Sequence, residues 1–416
     1  MGTGRVRSPV VPPLQQHRHP SVLQTAECSL EPVPAHHPVT GRPESPEPHG
    51  GNRQAAARRL GCRPQQLLDA SASLVPFGPP PRLRRLLRRA LSSDLRDYPD
   101  RDYRALRGAI AAWHGLDPAM VLPGNGAAEL FTWAARDAAA SGLSLLPAPG
   151  FADYRRALDC WGGAWLSLPL PLDWRGAGPS AWPLAEAAIA TAAASSRPAV
   201  LWLTNPHNPT GQLWSRASLQ PLLERFALVV ADEAFLPLVP AGEDQSLLPL
   251  LPAHPNLVVI RSLTKLFSIA GLRLGYALGG AERLSRWAAW RDPWPVNGLA
   301  AAAGQALMAD QAGLRRWQQR VQHWVAAEGA WLAGRLAAVP GLEPLPSAAN
   351  YLLVRSTAAA ASLQPLRLAL ERQHRILVRD CRSFEGLGEG WLRIAVQSRA
   401  GNRRLLAALE QINRGR

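Results

Sequence analysis

Between residues 143 and 279 five short apolar runs, 143–147, 199–204, 227–231, 257–262 and 274–279, alternate with helix-like stretches, and each stops at a polar or glycine-rich turn. That rhythm restricts the chain to an α/β fold. Leu- and Val-rich runs of this length suit strands buried on both faces, with helices packed against the sheet. In open α/β sheets ligands bind beyond the carboxyl ends of the strands, so the residues at those ends bear most on chemistry.

The run 199–204 leads into Asn205-Pro206-His207-Asn208-Pro209-Thr210-Gly211, and 227–231 into Asp232-Glu233-Ala234-Phe235. The run 257–262 leads through Ser262-Leu263-Thr264 to Lys265, with Arg273 eight residues on. Upstream, Gly124-Asn125-Gly126-Ala127-Ala128-Glu129 stands before a helical stretch. Lys265 is the only lysine in the chain, whose Lys and Arg total 46. Arginine keeps the charge but cannot deprotonate in a protein, whereas a lysine amine can be tuned into a nucleophile or form a Schiff base. An amine, a buried carboxylate and a helix N-terminus are what pyridoxal phosphate (PLP) requires: the amine holds its aldehyde, the carboxylate keeps its pyridine nitrogen protonated, and the helix start cradles its phosphate. Lys265, Asp232 and the amides of Gly126, Ala127 and Ala128 are the candidates.

Beyond residue 297 the pattern turns helical over 300–308 and 314–339. It then gives a strand at 351–355, a helix at 363–373, strands at 376–379 and 392–396, and a closing helix at 399–413, which reads as a smaller α+β C-terminal domain. Residues 1–48 are rich in Pro, His, Ser and Arg without hydrophobic period, and read as a disordered tail. The expected divisions are this tail, an N-terminal segment over 49–97, a large domain over 98–297 with a mixed, mostly parallel sheet, and a small domain over 298–416.

The net charge of +15 belongs to the folded part, because four arginines of the tail (Arg5, Arg7, Arg18, Arg42) are balanced by Glu27, Glu31, Glu44 and Glu47. Residues 82–91 form a basic amphipathic helix, for which a solvated face is the simpler reading than a nucleic-acid or membrane surface. The tryptophans are scattered through helical stretches, where they can pack as core. Four widely spaced cysteines without a C-x-x-C pair argue against a disulfide scaffold and a zinc site, and no metal site is expected. No apolar stretch is long enough to span a membrane, so a soluble cytoplasmic protein is expected.

From His49 to Asn413 the sequence resembles fold-type I PLP-dependent enzymes of the aspartate aminotransferase superfamily, in the branch that holds histidinol-phosphate aminotransferases and threonine-phosphate decarboxylases. The resemblance implies Lys265 as the Schiff-base lysine, Asp232 as partner of the pyridine nitrogen and Asn208 as partner of the ring oxygen. It implies Ser262, Thr264 and Arg273 as phosphate ligands beside Gly126, Ala127 and Ala128, and Phe151 as the aromatic stacked on the ring. Tyr98, in Tyr98-Pro99-Asp100, matches the tyrosine that reaches the cofactor phosphate of a neighbouring subunit, which implies a homodimer. Phe235 stands where many aminotransferases have a tyrosine that donates to the ring oxygen, which argues against an ordinary aspartate aminotransferase.

Arg393 resembles the arginine that binds the substrate α-carboxylate, and Arg379 the one that meets a substrate phosphate. His49-Gly50-Gly51-Asn52, with Asp69-Ala70-Ser71-Ala72-Ser73 through Pro76-Phe77-Gly78, is similar to the opening of threonine-phosphate decarboxylases. His49, Gly50, Asn52, Ser73 and Asn350 join Arg379 and Arg393 as substrate-binding candidates, with Ser73 standing where Asn is common. The implied reaction is decarboxylation of L-threonine O-3-phosphate to (R)-1-amino-2-propanol O-2-phosphate, which supplies cobalamin biosynthesis. An aminotransferase acting on histidinol phosphate or an aromatic amino acid stays open, as does a nucleic-acid-binding protein built on the same fold.

Overall fold

In the computed structural model, which describes residues 49–93, 95–358 and 361–414, the strand ends converge because one seven-stranded sheet carries them all. The tail read over 1–48 lies outside the described residues. Across the sheet the order is Val121–Asn125, Leu274–Gly279, Leu257–Ser262, Leu228–Asp232, Ala199–Thr204, Leu143–Ala148 and Trp165–Pro169. Leu274–Gly279 runs antiparallel to both neighbours and the rest are parallel, so the sheet is mixed and mostly parallel. The register pairs Thr204 with Asp232, Asp232 with Ile260, Ser262 with Gly275, and Asn125 with Leu274. Residues distant in sequence are thereby brought to one edge.

The expected strands at 199–204, 257–262 and 274–279 are found with the same bounds, and those at 143–147 and 227–231 differ by a residue or two. Two strands of this seven-stranded sheet have no counterpart in the sequence reading. Val121–Asn125 contains Pro123 and Gly124, which weaken any strand signal, and Trp165–Pro169 lies at the sheet edge with most of its residues exposed or half-buried.

A second sheet has the order Leu68–Ala70, Ile376–Asp380, Trp391–Ala395, Tyr351–Ser356 and Leu342–Pro344. Its first strand comes from the N-terminal segment and pairs parallel to Ile376–Asp380. The long helix Gln311–Ala337, capped by Asp310 accepting from the Gly313 amide, packs beside this sheet. The basic helix expected at 82–91 is Pro81–Ser93. It turns Leu83 and Ala90 inward and leaves Arg84, Arg85, Arg88 and Arg89 exposed. Trp202, Trp214 and Trp287 are buried, the first two in strands rather than in helical stretches, whereas Trp161, Trp165 and Trp294 reach the surface.

Arg261, on the strand that leads to Lys265, is 1% exposed. Its guanidinium meets both carboxylate oxygens of Glu243 at 2.8 and 2.9 Å and Glu233 at 2.7 Å. Glu233 is itself fully buried beside Asp232. Arg261→Met is expected to lower stability by about 3–5 kcal/mol, because it strands Glu233 without its cation. Denaturant unfolding checks this, and a loss below about 1 kcal/mol would mean that the pair carries little.

Candidate active site

Beyond the carboxyl ends of the large sheet lies a cleft of about 390 Å³, walled by both sheets and the N-terminal segment. It gathers Lys265, Asp232, Asn208, Ala127, Ala128, Phe151, Ser262, Thr264 and Arg273 with His49, Gly50, Ser73, Arg379 and Arg393.

At its base Asp232 is buried, and its carboxylate accepts from the Tyr154 hydroxyl at 2.6 Å and from the Ala234 amide at 2.9 Å. A tyrosine has one proton to give. With that proton on Asp232, the Thr204 hydroxyl at 2.9 Å is the donor to Tyr154. Burial raises the Asp232 pKa to about 6, opposed by the Tyr154 hydroxyl, the Ala234 amide and Lys265. A carboxyl whose folded pKa exceeds its unfolded value loses stability for the native state as pH climbs through that window. Removing the hydroxyl in Tyr154→Phe widens the window upward. The apoprotein variant is therefore expected to fall further behind wild type between about pH 5 and pH 8, as followed by denaturant unfolding at several pH values. A deficit independent of pH would contradict the coupling.

Lys265 follows Ser262 by less than one turn of the short helix Leu263–Phe267. Its Nζ stands 5.3 Å from the centroid of Phe235. Burial and Arg393 bring its pKa down to about 8, with Asp232 acting against them. The amine thus has an appreciable neutral fraction near pH 7, as a nucleophile needs.

The helix Gly126–Ser141 starts at the cleft without a side-chain cap, so its first amides have no partner within the helix. Gly126 has φ +76°, and a Cβ there would lie 2.6 Å from Nη2 of Arg273, so only glycine admits the guanidinium at the helix start. The Thr264 hydroxyl is buried with no protein partner, and Ser262 lines the same wall. A helix start, two hydroxyls and an arginine form an anion cradle.

On the opposite wall the small sheet sets Arg379 directly across from Arg393 in register. Like charges placed so are destabilising unless an anion answers them. Both side chains are buried and flank Phe384, at 5.0 and 5.9 Å from its ring centroid. Arg393 also donates to the side-chain oxygen of Asn208 and to the Ser71 carbonyl, and Arg379 donates to the Ser383 hydroxyl. His49 stands at the mouth, 5.6 Å from Phe151 between ring centroids, and the buried Ser73 hydroxyl has no protein partner.

Four candidates are not among the residues that line the cleft: Gly126, which abuts Arg273 at the helix start, and Asn52, Asn350 and Tyr98. Asn52 is exposed, and its side-chain oxygen caps the helix Arg53–Arg59 by accepting from the Ala55 amide. Asn350 is buried behind the wall, with its amide atoms unpartnered. Tyr98 is 78% exposed and stacks on Trp294 at 4.4 Å. Sequence reasoning also missed residues. Tyr154 was signalled only by its place one helical turn after Phe151, and nothing in the chain marked Phe384.

The description of class I and II aminotransferases matches residues 66–409. The chain belongs to that family. It is 37% identical over 377 residues to the threonine-phosphate decarboxylase of Salmonella typhimurium, covering 88% of this chain and 97% of the relative. It resembles the solved L-threonine-O-3-phosphate decarboxylase of Porphyromonas gingivalis, with TM-score 0.71 and 25% identity over 84% of this chain and 100% of that one. It also shares the fold of the histidinol-phosphate aminotransferase of Sinorhizobium meliloti, solved with pyridoxal-5'-phosphate, at TM-score 0.76 and 24% identity over 88% and 95% of the two chains.

The family fold is that of the fold-type I PLP enzymes, with an α/β large part and a smaller C-terminal part, and the cofactor is pyridoxal 5'-phosphate. The residues present fit it. The unpartnered Thr264 hydroxyl, the uncapped helix start and Arg273 suit its phosphate, Asp232 its pyridine nitrogen, and Lys265 its aldehyde. Among the described residues no helix is long and apolar enough to cross a membrane.

Proposed function

We propose that this chain is a PLP-dependent decarboxylase of L-threonine O-3-phosphate, releasing CO2 and (R)-1-amino-2-propanol O-2-phosphate in the cytoplasm for cobalamin biosynthesis. The observation that carries the reading is the opposed pair Arg379 and Arg393 facing one cleft. Two guanidiniums suit a substrate with two anionic ends, a phosphate and a carboxylate, each bound through paired N–H donors. The likeness to the Salmonella and Porphyromonas decarboxylases supports the same substrate.

When bound, PLP supplies an aldehyde that holds an amine covalently and a ring that draws electrons from the adjoining carbon. The rest falls to the chain. Asp232, kept ionised by Tyr154 and Ala234, holds a proton at the pyridine nitrogen. Arg393 orients the substrate carboxylate, while Arg379, His49 and Ser73 receive its phosphate. Phe151, Phe131, Phe235 and Phe384 line the cleft and keep water from the reacting carbon. Lys265 Nζ would return a proton to that carbon after CO2 has left. Tyr98, exposed beside Trp294, serves the cleft of a second copy in a homodimer.

Incubation of the holoenzyme with O-phospho-L-threonine, without any keto acid, is expected to yield aminopropanol phosphate detected by mass spectrometry. Absence of that product, with glutamate formed from histidinol phosphate and 2-oxoglutarate, would place the chain among the aminotransferases instead.

A further inference from the structure

Ser71 has no part in the chemistry above, yet it lines the cleft and is bonded to Asp69, Gly51 and Arg393. Its hydroxyl donates to Asp69 Oδ1 at 2.6 Å and accepts from the Gly51 amide at 3.0 Å. The same Asp69 oxygen takes the Ser71 amide at 3.0 Å, so the hydroxyl is fixed with a lone pair left for Gly51. Its carbonyl accepts from Arg393 Nη2 at 3.3 Å. A Cβ on Gly50 would lie 2.2 Å from that carbonyl oxygen, so the backbone of residues 50 and 51 rests directly on Ser71. Ser71 is itself anchored. The strand before it pairs Ala70 with Val378, and Arg379 follows Val378 just as Ser71 follows Ala70.

We propose that Ser71 is a positioning residue that seats the segment from His49 to Gly51 over the phosphate end of the substrate, beside Arg379, and ties that segment to the arginine that grips the carboxylate. The inference rests on the proposed function for the identity of the phosphate. It needs no contact between Ser71 and substrate, because Ser71 acts through His49 and leaves its carbonyl bond to Arg393 intact when only the hydroxyl is removed.

In the holoenzyme, Ser71→Ala is expected to raise KM for O-phospho-L-threonine about five- to tenfold, with kcat within about twofold, as the loss of the one hydrogen bond that holds the Gly51 amide implies. Asp69→Asn keeps an acceptor for the hydroxyl and is expected to stay near wild type. Gly50→Ala, which lifts the segment off Ser71, is expected to mimic Ser71→Ala. The deciding comparison is made in a His49→Ala background, where Ser71→Ala is expected to add nothing. An equal KM rise in both backgrounds, or a loss confined to kcat, overturns the proposal. Two readouts do not depend on turnover. Amide hydrogen exchange at Gly51 is expected to quicken in Ser71→Ala, and the affinity of the holoenzyme for inorganic phosphate to fall by the same factor as KM rises. If wild type releases no CO2, the functional reading fails, while these two measurements still decide the role of Ser71: unchanged exchange and phosphate affinity sink it.

Discussion

Lys265→Ala is expected to abolish turnover, by on the order of 10⁵-fold or more, and with it the covalent hold on the cofactor. The chain has one lysine, so no other side-chain amine can take its place. Reduction of the loaded wild-type enzyme with borohydride should fix the cofactor mass on the peptide that contains Lys265, and the variant should carry none. Lys265→Arg should be as inactive as the alanine variant, because the role requires an amine that deprotonates and a guanidinium does not. Activity retained by the arginine variant would show that only the positive charge matters.

Asp232→Asn is the second large effect, and it moves activity and stability in opposite directions. The neutral amide fills the same space below the cleft but cannot hold a proton on a ring nitrogen. A loss of roughly a hundred- to a thousandfold in kcat is expected, comparable to removing one preorganised charge-stabilising group. Stability goes the other way. Burial raises the Asp232 pKa from 3.8 to about 6, so the ionised carboxylate costs the apoprotein stability at neutral pH. Removing it should stabilise the apoprotein by roughly 1–3 kcal/mol near pH 7, and the gain should shrink as pH falls below about 6, where the wild-type side chain is already protonated. Paired activity and unfolding measurements check both halves. Parallel losses of activity and stability would mean that the carboxylate is a structural anchor.

Much of this site was readable because its parts sit where strands end. Asp232, Ser262 and Lys265 follow apolar runs whose length and composition leave little choice but a buried parallel strand. The helix start at Gly126 was marked by its glycine turn, although the strand before it was hidden by Pro123 and Gly124. What the chain conceals is pairing between distant segments. The opposition of Arg379 and Arg393 exists only through the register of two antiparallel strands. Ser71 gains its contacts because three residues of the N-terminal segment join a sheet made otherwise of residues 342–395. Asn52 illustrates the reverse: it belongs to a suggestive tetrapeptide, but its side chain is engaged by the first turn of a helix.

Decarboxylation and transamination differ in which bond at the α-carbon breaks, and both use the same cofactor site. The carboxylate carbon reports the difference directly. With O-phospho-L-threonine carrying ¹³C at that carbon, the holoenzyme should release labelled CO2 at the same rate with and without 2-oxoglutarate, and no glutamate should form. Label retained in a 2-oxo acid, appearing only when 2-oxoglutarate is present and matched by glutamate, would contradict the account.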